Sequence, residues 1–233
     1  MRPDLPRLPD LIVLGDSHSN ALVAGCLAHG LNVEMLRFSG NFWHSGQVRF
    51  NRQYGVWVRN SPPNQALVTD LYKRLGDRSF LSPDLPILGS FGFHLGRMVP
   101  RFAMNGHETD GPRFLANPDA QFASSALLSA FVAALRVDHF TTAQRLSRFG
   151  TLTMVAPPDV FGPSNYQSFR HKIVKQLRDA GTKVYDPNPD LSPTGQAILP
   201  DYITADGVHG NDAYGEKVIG MMLKRGLIKK RAA

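Results

Sequence analysis

A chain of 233 residues with 42% apolar residues can bury a real core, and its length suits one domain, or one domain with large insertions. Its single cysteine, Cys26, rules out an intrachain disulfide and a cysteine-rich zinc site. The formal charge of +7 leaves an anionic partner open, but no basic run is interleaved with aromatics as a nucleic-acid groove requires, so no nucleic-acid partner is expected.

The N-terminal "MRPDLPRLPD" lacks the apolar core and small-residue cleavage site of a signal peptide, which predicts a cytoplasmic protein. No stretch approaches the ~18 apolar residues of a membrane span. Residues 11–15 read as a first buried strand. "SNALVAGCLAHG" (19–30) carries Ala and Leu at helical spacing and a Gly30 stop, with Cys26 packing as a small apolar residue. "LNVEMLRF" (31–38) is the second strand. Residues 39–83 have aromatics without a clean period, then a short helix in "NQALVTDLYKRLGD". "DLPILGSFGFH" (84–94) is a third strand ending in a glycine-rich loop, and 95–121 holds no clear element. A long helix follows to Gly150, with a break expected near Asp138. "TLTMVAPP" (151–158) is the fourth strand and "TKVYDP" (182–187) the fifth. The helix "SNYQSFRHKIVKQLRDAG" lies between them, and "NDAYGEKVIGMMLKRG" is the last helix. Strands alternating with helices predict a parallel sheet covered on both faces. One domain over 1–233 is expected, with long insertions at about 39–83 and 95–121 that shape the substrate site.

In such a sheet, ligands sit beyond the carboxyl ends of the strands. "LIVLGDSHSN" (11–20) places Ser17 there, at the start of a helix whose free N–H groups and dipole favour negative charge. Asp16, Ser17 or Ser19 could equally serve as the helix cap. "ADGVHGNDAYGE" (205–216) puts Asp206 three residues before His209 in a turn before the last helix. That spacing lets the carboxylate reach the imidazole Nδ1–H, leaving Nε2 to take a proton from a serine. An Asx-type turn beside a solvated histidine has the same spacing. The order, a serine after the first strand and Asp-x-x-His before the last helix, brings both to one rim of the sheet.

These two blocks resemble the SGNH hydrolases, the GDSL-like esterase and lipase superfamily. "LIVLGDSHSN" is similar to their first block and "DGVHGNDAYG" to their last, and "VAPPDVFG" and "KVYDP" fit their chain rhythm. The resemblance implies a flavodoxin-like three-layer α/β/α sandwich with a parallel five-stranded sheet, and cofactor-free hydrolysis of an acyl ester. It implies Ser17 as nucleophile, His209 as base and Asp206 as its acid. It also implies an oxyanion hole from the Ser17 and Gly40 N–H groups, Gly40 of "RFSGNFWHSG" matching the second block and Gly46 being the alternative. The family's third block supplies an asparagine donor after strand three. Here that place holds Phe91, which cannot donate a hydrogen bond. Asn105, or else Ser90 or His94, would have to take the role. A short acyl group is expected, such as a carbohydrate O-acetyl, because no long apolar trough is evident. The substrate would be a small-molecule or glycan ester, and an acidic glycan would suit the positive charge. Trp43 and Phe42 offer a wall for substrate and His44 a contact, while His139 and His171 read as surface residues.

Two rivals remain open on the sequence. In an O-acyltransferase on the same fold, the acyl-serine would pass its group to a sugar hydroxyl. "GDSH" also resembles the opening of calcineurin-like metallophosphoesterases, with Asp16 and His18 as metal ligands and "NGHE" (105–108) as a further block. That family's second Gly-Asp block and late His-x-His are missing here, since "LGDR" (75–78) lacks the following acid. No metal and no organic cofactor is expected.

Overall fold

The computed structural model describes residues 8–103, 106–192 and 195–231, so Asn105 lies outside the described residues. In chain order the strands are β1 (Leu11–Gly15), β2 (Val33–Arg37), β3 (Val48–Asn51), β4 (Gly55–Val58) and β5 (Pro86–Ser90). They continue with β6 (His107–Glu108), β7 (Gln121–Phe122), β8 (Thr151–Val155) and β9 (Lys183–Tyr185). The helices are α1 (Ser19–Ala28), α2 (Gly40–His44), α3 (Pro62–Arg74), α4 (Leu95–Ala103) and α5 (Gly111–Ala116). They are followed by α6 (Ser125–Phe149), α7 (Asn165–Asp179), α8 (Asn188–Leu191) and α9 (Asp212–Lys224).

Five strands form one parallel sheet in the order β2-β1-β5-β8-β9, the flavodoxin-like arrangement of an α/β fold. The continuous apolar run of β1 follows from covering both faces. Ile12 and Leu14 join the larger core under α3, α6 and α7, while Leu11 and Val13 join a second core under α1 and α9. Each such side chain, fully buried, contributes about 1.5–3 kcal/mol. Cys26 is buried in the second core.

The stretches without a clean period hold structure of their own. Residues 39–83 contain α2, α3 and the antiparallel hairpin β3–β4, whose Val48, Val56 and Val58 turn into the core. Residues 95–121 contain α4, α5 and β6, which pairs with β7 at their edge. The break expected near Asp138 does not occur. Helix α6 runs unbroken for 25 residues, and Asp138 points outward to an ion pair with Arg49.

The chain reverses its direction of travel across the sheet between β1 and β5, so a crevice opens beyond their carboxyl ends. Three loops meet there: Asp16–His18 after β1, Phe91–His94 after β5, and Pro157–Phe161 after β8. No helix among the described residues is long and apolar enough to cross a membrane.

Candidate active site

Ser17 is exposed at the end of β1, and His18 stands at the start of α1 without a side-chain cap. The capping role open to Asp16, Ser17 and Ser19 is therefore unused. Asp16 Oδ1 instead accepts from the His18 N–H at 3.0 Å, which closes a tight turn, and Ser19 Oγ is buried without a hydrogen bond. The Ser17 hydroxyl is left to meet His209, whose Nε2 is 2.7 Å from Ser17 Oγ.

His209 comes from the loop before α9. That loop is tied by Thr204 N–H to His209 O at 2.8 Å, by the Ile203–Gly210 bridge, and by Asn211, which caps α9 through the Tyr214 N–H. His209 Nδ1 lies 2.6 Å from Asp206 Oδ2. The other carboxylate oxygen accepts from the Thr204 hydroxyl and from the Val208 and His209 N–H groups. The Thr204 hydroxyl, with these N–H groups and the His209 ring, holds the Asp206 carboxyl far below the usual carboxylate range, so it stays ionised. The second ring on this rim, His18, packs against His209 with centroids 4.6 Å apart. Burial lowers the His18 pKa despite the opposing pull of Asp16 and keeps it neutral, so no second cation crowds His209.

What brings the two ends of the chain together is the crossing of α1 and α9. A Cβ on Gly25 would collide with the Gly215 carbonyl, and one on Gly215 with the Ala21 carbonyl oxygen. The helices touch backbone to backbone, so the residues just before each face each other across one hydrogen bond.

Gly40 is the first residue of α2, and with Ser17 it lines the crevice. Neither the Ser17 nor the Gly40 N–H donates to another backbone group among the described residues. A Cβ on Gly40 would sit 2.9 Å from the His94 ring, so only glycine lets the backbone come this close. Gly46 ends the α2 turn beside Asp138 and does not border the crevice.

Of the three candidates for a third donor, Asn105 lies outside the described residues, and Ser90 and His94 fare differently. Phe91 stacks on buried Trp43 at 4.2 Å, so the third-block position faces the core. Ser90 is 3% exposed and does not border the crevice. His94 borders it, but its Nε2 stands 3.1 Å from Asp16 Oδ2 and its Nδ1 is buried. His94 also occupies a left-handed backbone conformation (φ 41°), which typically costs ~1–3 kcal/mol in a non-glycine residue. Contact with His94, together with the neighbouring His18, keeps Asp16 ionised although burial alone would raise its pKa.

Both oxygens of Asp16 face nitrogen groups of the protein, and the His18 ring lies on His209. Among the described residues no group of three or more His, Cys, Asp or Glu side chains is placed to hold a metal ion.

Several expectations about aromatics and histidines are corrected. Trp43 is no substrate wall: it is buried and donates from Nε1 to the Gly15 carbonyl at 3.0 Å. His44 turns to the buried Arg136, its Nδ1 3.2 Å from the guanidinium. His171 is exposed as expected, but His139 is 4% exposed, beneath His94 and Trp43. An apolar cavity of about 480 Å³ opens beside Ser17.

Burial, and then the Arg136 cation, push the His139 pKa down to about 2. In the unfolded chain the group returns to ~6.5, so between these values the unfolded state binds the extra proton. This part of the stability is complete above pH ~6.5 and is lost as the pH falls, by ~1.4 kcal/mol per unit. From pH 7 to pH 5 the wild type should lose about 2 kcal/mol more than His139→Phe, as read from urea midpoints. Equal losses in both proteins would remove His139 as the cause.

No family model and no curated protein matches the chain. Among solved structures, it is similar to an alpha/beta hydrolase enzyme from the metagenome of Lake Arreo, Spain, at 13% identity, 94% and 96% coverage of the two chains, and a TM-score of 0.45. It is also similar to an acetyl xylan esterase from Geobacillus stearothermophilus at 10% identity, 95% and 96% coverage, and a TM-score of 0.43. Likeness at this level carries no argument about chemistry, which rests on the geometry of Ser17, His209 and Asp206.

Proposed function

We propose that this protein is a serine ester hydrolase of the SGNH, or GDSL-like, type. The observation that carries the reading is the 2.7 Å contact between exposed Ser17 Oγ and His209 Nε2, with an ionised carboxylate 2.6 Å behind the ring. His209 takes the Ser17 proton as Oγ attacks the ester carbonyl. Asp206 fixes the tautomer and stabilises the imidazolium. His209 then protonates the leaving alkoxide, and a water activated by the same ring releases the acid from the acyl-serine. The Ser17 and Gly40 N–H groups receive the oxyanion.

With Phe91 in the core and His94 against Asp16, neither supplies a third donor, and Asn105 lies outside the described residues. Loss of one oxyanion donor typically costs ~10²–10³ in kcat. The side chain of Asp206 is 52% exposed and that of His209 30%. With Ser17 exposed as well, the triad is open to water, which supports hydrolysis over acyl transfer.

The reading is tested by treating the protein with a fluorophosphonate and mapping the adduct by mass spectrometry. One adduct, on the peptide containing Ser17, is expected, and none in His209→Ala. Labelling elsewhere, or equal labelling of the His209 variant, would overturn it.

A further inference from the structure

We infer that the preferred substrate is an ester of a medium-chain apolar acid with a polar alcohol, the acyl chain lying in the cavity beside Gly40. This rests on the reading of Ser17 as nucleophile. The nucleophile stands where two hollows of opposite character meet. The first, about 480 Å³, is walled by Phe93, Leu95, Pro158, Val160, Phe161 and Tyr166. The Phe161 ring lies 4.1 Å from that of Tyr166 and is 46% exposed, an aromatic pair kept at the mouth rather than in the core.

Three charged residues bordering this hollow have partners in the protein. Arg170 is 1% exposed, pairs with Asp186 and donates to the Pro157 carbonyl. Asp159 accepts from the Gly162 N–H and from Gln167 Nε2, and Arg97 donates to Asn41 Oδ1. Exposed Arg97 keeps further N–H donors, and the six walls named above are apolar or aromatic, in a volume typical of small-molecule sites. An acetyl methyl would leave most of it as water against phenylalanine and proline.

The second hollow shares Ser17 and His209 with the first. Its border includes Asn20, Thr204, Asp206, Asn211 and Asp212, with no large apolar side chain. Gly40, the second oxyanion donor, borders only the first hollow. The carbonyl oxygen therefore sits at the edge of the apolar hollow. An acyl chain placed in that hollow leaves the polar one, which His209 also borders, to the alcohol that His209 protonates.

The test is a chain-length series of p-nitrophenyl esters, paired with glyceryl monohexanoate against hexyl acetate. Each buried methylene is worth up to about fourfold in kcat/KM. From acetate to hexanoate a rise of at least about tenfold is expected, with glyceryl monohexanoate the better of the second pair. Gly96 borders the first hollow on α4, and a Cβ there meets no atom within 4 Å, so Gly96→Phe can grow into the cavity. Gly96→Phe, and separately Phe161→Ser, should each lower the hexanoate-to-acetate ratio about tenfold. Ser17-dependent turnover that is flat with chain length, or that prefers hexyl acetate, would overturn this assignment and leave the esterase reading standing. Absence of Ser17-dependent turnover on every ester would overturn both.

Discussion

Ser17→Ala is expected to lower kcat/KM for p-nitrophenyl hexanoate by about 10⁴-fold or more, while a chelator leaves the wild type unchanged. The size follows from the role. Without Oγ no acyl-enzyme forms, and what survives is the smaller contribution of the oxyanion donors and binding. Folding should be indifferent, because Ser17 is exposed, its side chain caps no helix, and among the described residues its hydroxyl bonds His209 alone. Its replacement should stay within ~0.5 kcal/mol of wild-type stability. That separation of activity from stability makes the experiment decisive. Were the variant to retain turnover while chelation silenced the wild type, Asp16 and His18 would be the purpose of the turn, and the site would belong to metal-assisted chemistry.

The sequence made some of this legible and hid the rest for physical reasons. Strand β1 could be read because both of its faces are covered, which forces the unbroken run Leu11–Leu14. The pairing of Ser17 with His209 could be suspected from their order along the chain. Its closeness depends on Gly25 and Gly215, small residues in two helices that carry no mark of being partners. The burial of His139 was recoverable from periodicity. Val132, Arg136, His139, Ala143 and Leu146 are spaced by four and three along α6, and all are buried. Reading residue type ahead of position hid this, since histidine and arginine are expected outside. The hairpin β3–β4 has only four residues per strand, and β4 reads Gly-Val-Trp-Val without apolar alternation, so it does not stand out among aromatics. The apolar cavity left no local trace at all. Its walls come from the loop after β5 with the start of α4, and from the loop after β8 with the start of α7, which meet only when the sheet is assembled. A pocket drawn from two distant segments has no period and no spacing in the sequence.

Gly215→Ala is expected to damage folding and catalysis together, although it adds one carbon to a residue far from Ser17 in sequence. The new Cβ would enter the Ala21 carbonyl, which is backbone inside α1 and cannot rotate away. The only relief is to push α9 off α1, along a seam that also packs Leu22, Cys26, Val218 and Ile219. Overpacking of a fixed core costs about 1–3 kcal/mol, and backbone collision belongs at the upper end or beyond. Gly215→Val should exceed about 4 kcal/mol and leave little folded protein. The catalytic consequence has the same cause. His209 is carried by the loop leading into α9, and Ser17 by the turn leading into α1. Separating the helices lengthens the 2.7 Å contact on which proton transfer depends, and a displacement of ~1 Å can cost ~10²-fold in rate. The control lies on the same helix. A Cβ on Gly220 meets only the tip of the His29 ring, at 3.1 Å, so Gly220→Ala should be neutral or stabilising by up to ~1 kcal/mol through helix propensity. Urea unfolding gives the stabilities, and turnover corrected for the folded fraction gives the rate effect. If Gly215→Ala matched Gly220→Ala in both, the helices would not be in backbone contact. If Gly215→Ala lost stability but its folded fraction kept full kcat, the seam would hold the protein together without setting the distance between serine and histidine.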